Sequence, residues 1–211
     1  MYRLYSIPGS CSTGIHVLLN RLNQEVEIVP RDAVANYQDI VPTNQVPALQ
    51  VGDELLTEGA AIVMHLLEQH DALPQAGAPL REFRQWLMFN YATLHPTYSR
   101  LFLAGVANVI EHPASRSTLI EHTAARLSEL WQIVEQRLQN RKYMTGDDAT
   151  VIDYLLAVYA NWGNAVPEAN ISIGPRTRQL ITNVLALPEF ARAVQRENIE
   201  VRLPQPEHSA S

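Results

Sequence analysis

The chain has 211 residues, 46% of them hydrophobic and 18% charged, with a formal net charge of -6. That composition can bury a core and is not that of a disordered chain. The 16 Lys and Arg are scattered rather than clustered, so neither a nucleic-acid nor an acidic-membrane partner is expected. No stretch reaches the roughly 18 apolar residues that a membrane span needs. Met1–Ser10 has no apolar core of signal-peptide length, and the single cysteine excludes an internal disulfide. The expected setting is therefore the reducing cytoplasm.

Tyr2–Ile7 reads as a first strand, stopped by Pro8 and Gly9. Ile15, Leu18, Leu19 and Leu22 then recur at helical spacing. Val26–Val29 is a short β-branched strand, and a weak helical stretch follows it. Val46–Val51 and Glu54–Thr57 flank Gly52-Asp53, a two-residue hairpin signal. A helix from Gly59 to about Glu68 closes this part. The order β-α-β-(weak helix)-β-β-α predicts a mixed sheet with helices packed against it.

From there the pattern becomes helical. Pro74, Gly77 and Pro79 mark a linker, which divides the chain into residues 1–72 and 80–203, joined by 73–79. Pro79 opens a helix carrying Trp86, Phe89 and Leu94, expected to bend or break near Pro96. Ser115 is placed to cap the next helix, whose stripe is Leu127, Leu130, Trp131, Val134 and Leu138. Thr150-Val151-Ile152-Asp153 has the form of a capping box. Further helices fit 175–187 and the stretch after Pro188, and the tail after Leu203 is expected to be loose.

Three junctions can carry chemistry. Cys11 lies in Pro8-Gly9-Ser10-Cys11-Ser12, between the first strand and the first helix. The helix dipole and free N–H groups there favour thiolate, the nucleophilic form; a buried, inert cysteine is the alternative. Stabilising the thiolate of a ligand held beside that helix start at neutral pH needs a pKa drop of about two units, about 2.7 kcal/mol. A helix terminus (about 0.3–1 kcal/mol) and one or two charge-directed hydrogen bonds (about 1.5–3 kcal/mol each) can supply it. Ser10 or Ser12 can instead activate a thiol, or simply cap the helix.

Gln45-Val46-Pro47 opens the third strand. A cis Val46–Pro47 bond would turn the Val46 backbone toward a peptide-like ligand; an ordinary trans bond would not. Glu58-Gly59 starts the following helix. There the helix terminus can hold a carboxylate and Glu58 an ammonium, or Glu58 only complements the dipole. His95 can hydrogen-bond a ligand or be structural. The remaining histidines have no metal-ligand spacing and there is no second cysteine, so no metal is expected.

Residues 5–12, 44–49 and 55–62, taken in order, resemble the glutathione transferase family, most nearly its bacterial beta class. Trp86-Leu87, residues 92–95 and the Thr150–Asp153 box extend the resemblance into the helical half. It implies a thioredoxin-like α/β N-terminal domain with a mixed four-stranded sheet, followed by an all-α C-terminal domain. It also implies glutathione as co-substrate, a small hydrophobic electrophile or disulfide as second substrate, and a homodimer.

Carried residue by residue, the resemblance places the sulfur at Cys11, with Ser10 beside it, and His95 at the rim. It places the cysteinyl backbone at Val46, flanked by Gln45 and a cis Pro47, and the γ-glutamyl group at Glu58 and Gly59. Tyr91, Tyr98 and Phe102 are expected to line the electrophile cleft. The sequence departs from the class at Met88, where Asn is usual, and at Pro96, where Lys is usual. Its short segment 30–44 has no Lys, leaving Arg31 as the substitute. Within this fold, conjugation, thiol–disulfide exchange and peroxide reduction through Cys11 all remain open. So do a non-catalytic ligand-binding or assembly role and a glutathione-dependent isomerase, which the Ser10-Cys11 pair partly resembles.

Overall fold

A computed structural model describes residues 1–107 and 109–204. The tail expected to be loose, and His208 within it, lie almost wholly outside the described residues. β1 (Tyr2–Ser6) leads through a Pro8-Gly9 turn into α1 (Cys11–Arg21) and then β2 (Val26–Pro30). A 3₁₀ turn (Arg31–Ala33) and a four-residue helix, α2 (Tyr37–Ile40), stand where the sequence gives its weak helical signal. β3 (Ala48–Val51), β4 (Glu54–Leu56) and α3 (Gly59–Gln69) complete the first part.

The four strands run in the order β2-β1-β3-β4. β1 and β2 are parallel, with Leu4 opposite Ile28; β1/β3 and β3/β4 are antiparallel. This is the mixed sheet that the element order predicts. β3 begins at Ala48, two residues later than the sequence pattern suggests, because Pro47 has no N–H to give the ladder.

Both faces of β1 are covered, as its period of two requires. Leu4 enters the main core with Ile15, Leu19, Leu49, Ile62 and Leu66. Tyr5 points the other way and packs on Tyr37, Val41 and Ala48, with the two tyrosine rings 5.5 Å apart. The irregular stretch after β2 is thus the cover of the second face.

The helical part holds α4 (Ala78–Met88), α5 (His95–Gly105), α6 (Pro113–Arg137), α7 (Val151–Trp162), α8 (Pro175–Leu185) and α9 (Pro188–Glu197). α7 is buried at every position from Val151 to Ala160, so it is the axis the other helices pack around. It also meets the first part. A Cβ on Gly14 of α1 would lie 2.7 Å from Leu155 Cδ2, and only a glycine allows that approach. The main core is one cluster running from Leu4 to Ala193, beside the smaller cluster around Tyr5.

Two expectations need correcting. Pro96 does not break the helix. It lacks the N–H that would return to Ala92, and the backbone handles this with a π-helical segment at Phe89–Leu94 just ahead of it. Asn90 Nδ2 donates to Trp86 O at 3.2 Å within this widened stretch. Ser115 is not a cap either: α6 starts two residues earlier at Pro113, whose ring already has a helical φ and whose missing N–H is not needed there.

The Thr150–Asp153 box is present. The Asp153 carboxylate accepts from Thr150 N–H at 2.8 Å, Thr150 Oγ1 at 3.1 Å and, with its other oxygen, Met144 N–H at 2.9 Å. Asp153 is fully buried, so it fixes the start of α7 and the loop before it together. Asp153→Ala removes a cap worth about 1 kcal/mol and strands a buried N–H at about 1–3 kcal/mol. The variant is expected to lose about 2–4 kcal/mol, read as a lower denaturant midpoint at unchanged slope.

Candidate active site

The turn before α1 is held from three sides. Gly9 takes a φ of +76° that favours glycine. Its carbonyl accepts from Trp162 Nε1 at 2.8 Å. Its N–H donates to Thr13 Oγ1 at 3.1 Å and to Glu197 Oε2 at 3.2 Å. Glu197, the last residue of α9, also accepts from Thr13 Oγ1 at 2.7 Å and pairs with His16 Nδ1 at 2.8 Å, all out of solvent. Nothing in the sequence pattern marks Thr13, His16, Trp162 or Glu197, because their meeting spans most of the chain.

Ser10 is the N-cap of α1, accepting from Ser12 N–H at 3.2 Å, with its hydroxyl 2.7 Å from that of Ser12. It performs the capping alternative and is not brought to the cavity wall. Cys11 follows as the first helical residue, only 4% exposed. Its Sγ donates to the Val46 carbonyl at 3.8 Å. Burial pushes the thiol up to about 12, against the backbone N–H groups of Cys11 and Ser12, which pull it down. Desolvation therefore outweighs the helix terminus and favours the protonated thiol over the expected thiolate.

The other two junctions face Cys11. The Val46–Pro47 bond is cis, and Val46 lies outside the ladder that begins at Ala48. Glu58 precedes α3 at φ +64°, a conformation side chains rarely adopt. Its carboxylate makes no cap hydrogen bond, which leaves both it and the first N–H groups of α3 open to a ligand. From the helical part come His95, the first residue of α5, and Tyr91 in the π-helical segment. The Tyr91 ring fills the space that a side chain at position 59 would need, with a Cβ on Gly59 falling 2.4–2.6 Å from it.

These groups enclose a cavity of about 550 Å³. Cys11, Gln45, Val46, Pro47, Glu58, Gly59 and His95, all singled out from the sequence, line it; Ser10 does not. Arg31 does, as the substitution for a missing Lys suggests, with Nη1 donating to Asn44 O at 3.3 Å. Arg31 and Glu58 put one positive and one negative charge on the wall. Pro96 and Ser99 are on it as well, and Met88 is exposed elsewhere.

Of the three aromatics expected in a cleft, only Tyr91 reaches the cavity wall. Tyr98 is wholly buried and accepts from Trp131 Nε1 at 3.0 Å, and Phe102 packs on Trp162 with centroids 5.5 Å apart. The helical period identified an aromatic run but not which member the π-helical segment would turn inward. The His95 ring stands edge-on to Tyr159 and Trp162, and burial lowers its pKa from the ordinary imidazole value. Among the described residues no cluster of His, Cys, Asp and Glu has the makings of a metal site, and no helix is long and apolar enough to cross a membrane.

The profile described as "Glutathione S-transferase, N-terminal domain" matches residues 1–68. Glutathione S-transferase GST-4.5 of Xanthomonas campestris pv. campestris is 30% identical over 173 residues, 77% of this chain and 82% of its own length. Among solved structures, a glutathione-S-transferase from Xylella fastidiosa superposes with a TM-score of 0.83 at 23% identity, covering 95% of this chain and all of its own. A bacterial beta class enzyme from Sphingomonas chungbukensis superposes at 0.79 and 20% identity, covering 94% and 100%. At these identities the two structures share the fold.

A thiol held near pKa 12 reacts slowly. Alkylation of Cys11 in the ligand-free protein at pH 7 is expected to run at least roughly ten-fold slower than in the unfolded chain and to rise steeply above pH 9. A plateau by pH 8 would show that burial does not set its protonation state.

Proposed function

The chain belongs to the glutathione S-transferase family, and we propose that its cavity holds glutathione extended from Glu58 to Arg31, with the sulfur beside Cys11. The protein is a glutathione transferase, with glutathione as co-substrate. The observation that supports this placement is the convergence of seven sequence-marked residues on one cavity whose two charges are of opposite sign.

In this reading the γ-glutamyl ammonium pairs with the Glu58 carboxylate, and its carboxylate takes the open N–H groups at the start of α3 around Gly59. The cysteinyl backbone pairs along Val46, flanked by Gln45 and Pro47. The glycyl carboxylate faces Arg31, whose planar fork suits a carboxylate. His95 closes the rim.

Two sulfurs then lie together. Cys11, buried and holding its proton on Val46 O, is the poorer nucleophile. The glutathione sulfur, after losing its proton to water, gives an electron pair to an electrophilic carbon, and the leaving group departs with its own pair. Conjugation is therefore favoured over chemistry routed through a Cys11 mixed disulfide, which needs the Cys11 thiolate. The second substrate is a small hydrophobic electrophile. A homodimer fits the exposed apolar residues Leu55, Met88 and Leu103, and the unpaired cysteine suits the cytoplasm.

Calorimetric titration tests the placement. The wild type is expected to bind glutathione, and Glu58→Gln to bind it ten- to hundred-fold more weakly, the loss of a charge-directed bond worth about 1.5–3 kcal/mol. Equal affinities would remove Glu58 from the site. Incubation with glutathione disulfide is expected to leave the protein's intact mass unchanged; an adduct on Cys11 would move the chemistry onto that residue.

A further inference from the structure

A second pocket, of about 370 Å³, opens on the seam between the sheet part and the helical part. It shares no residue with the cavity around Cys11. Cys11 begins α1, whereas the pocket lies near the other end of that helix, with Arg21 about 15 Å farther along it. The floor is apolar and out of solvent: Leu18 from α1, Leu67 from α3, Phe83 from α4 and Val151 from α7. At the mouth stand Ala72, exposed in the linker, and Leu22, half-buried. A hollow of this size, apolar with few polar groups and set between two parts of a chain, has the usual form of a small-molecule site.

The polar side chains on its wall are spent, with one exception. Thr150 Oγ1 donates to Asp153 Oδ2 at 3.1 Å, and Tyr154 Oη to Glu189 Oε1 at 3.3 Å. The exception is Arg21. Among the described residues its only polar side-chain contact is Nε at 3.8 Å from Glu189 Oε1, too long for a hydrogen bond. The guanidinium fork is therefore unfilled. Arg21 is also the one charged residue on the wall, since Glu189 stands outside it. The last turn of α1 suits a cation, which accounts for the charge but not for the hollow beside it.

We propose that this pocket binds a small apolar carboxylate, its hydrocarbon part on Leu18, Leu67, Phe83 and Val151 and its carboxylate on the Arg21 fork. The planar fork takes a carboxylate through two parallel N–H bonds. A cationic ligand would meet Arg21 with no anion on the wall. A doubly charged anion would bring more charge into an apolar hollow than one guanidinium offsets. The ligand touches both parts of the chain at once, so its binding also stabilises the fold by mass action. None of this depends on what fills the catalytic cavity.

The probes are octanoate and its uncharged counterpart 1-octanol, titrated into the full chain by calorimetry. Octanoate is expected to saturate a single site, to raise the melting temperature, and to bind at least roughly ten-fold more tightly than 1-octanol. Arg21→Gln is expected to bring octanoate down to the level of 1-octanol. Because that change also removes a neighbour of Glu189, a second variant leaves the ion pair alone: Ala72→Trp plugs the exposed mouth and is expected to weaken octanoate about ten-fold or more. Absence of octanoate binding, equal affinity for the two probes, or full binding by Ala72→Trp would each overturn the proposal. Displacement of octanoate by S-methylglutathione would place it in the catalytic cavity and overturn the proposal as well.

Discussion

The Glu197 carboxylate is the contact on which the site's geometry rests. A buried carboxylate is tolerated only when its lone pairs are filled, and Gly9 N–H, Thr13 Oγ1 and His16 Nδ1 fill them here. Those partners bracket Ser10 and Cys11, so the end of α9 fixes the turn that begins α1. Trp162 at the end of α7 holds the same turn by its carbonyl. The sequence contrast between residues 1–72 and 80–203 is one of element type. The forces cross it: one core spans both parts, and the first helix starts where the last one ends.

The cavity lies on this seam and depends on both sides of it. The sheet part supplies Cys11, Val46, Glu58 and Arg31, which carry charge and backbone polarity. The helical part supplies Tyr91, His95 and Pro96, which carry shape and exclude water. Glycine at 59 is what lets them meet, because any side chain there would displace Tyr91. Pro96 contributes indirectly as well, since the helix meets its missing N–H with a widened segment, and Tyr91 sits in that segment. A residue that the usual class pattern would fill with Lys has here become part of the wall.

Local punctuation was easy to read in the sequence. Pro8-Gly9 ends β1, Gly52-Asp53 turns β3 into β4, and the Thr150–Asp153 box starts α7, all through chemistry within four residues. The three motifs, taken in order, name residues that the fold gathers on one cavity. Properties that depend on distant packing were not legible. Ser115 looks like a cap until Pro113 starts the helix first. Cys11 looks activated until α1 is buried and desolvation reverses the shift. Tyr91 is one of three similar aromatics until the π-helical segment breaks the 3.6-residue phase. Glu197 looks like a solvated helix end, and only the fold brings it to Gly9.

Charge explains why so much rests on local contacts. Glutathione carries two carboxylates and one ammonium, and the chain itself is net negative at -6. Its overall field therefore does not draw the ligand in. In the proposed placement recognition comes from groups at contact distance: Arg31 on one wall, the start of α3 on another, and Glu58 for the single ammonium. Such contacts work in a partly desolvated cavity, where screening is weak and a correctly placed dipole counts for more than in water. The same desolvation that keeps Cys11 protonated strengthens any donor offered to a second sulfur beside it. Burial of this cysteine is thus consistent with catalysis, provided the reacting anion forms on the ligand and the protein supplies the hydrogen bonds.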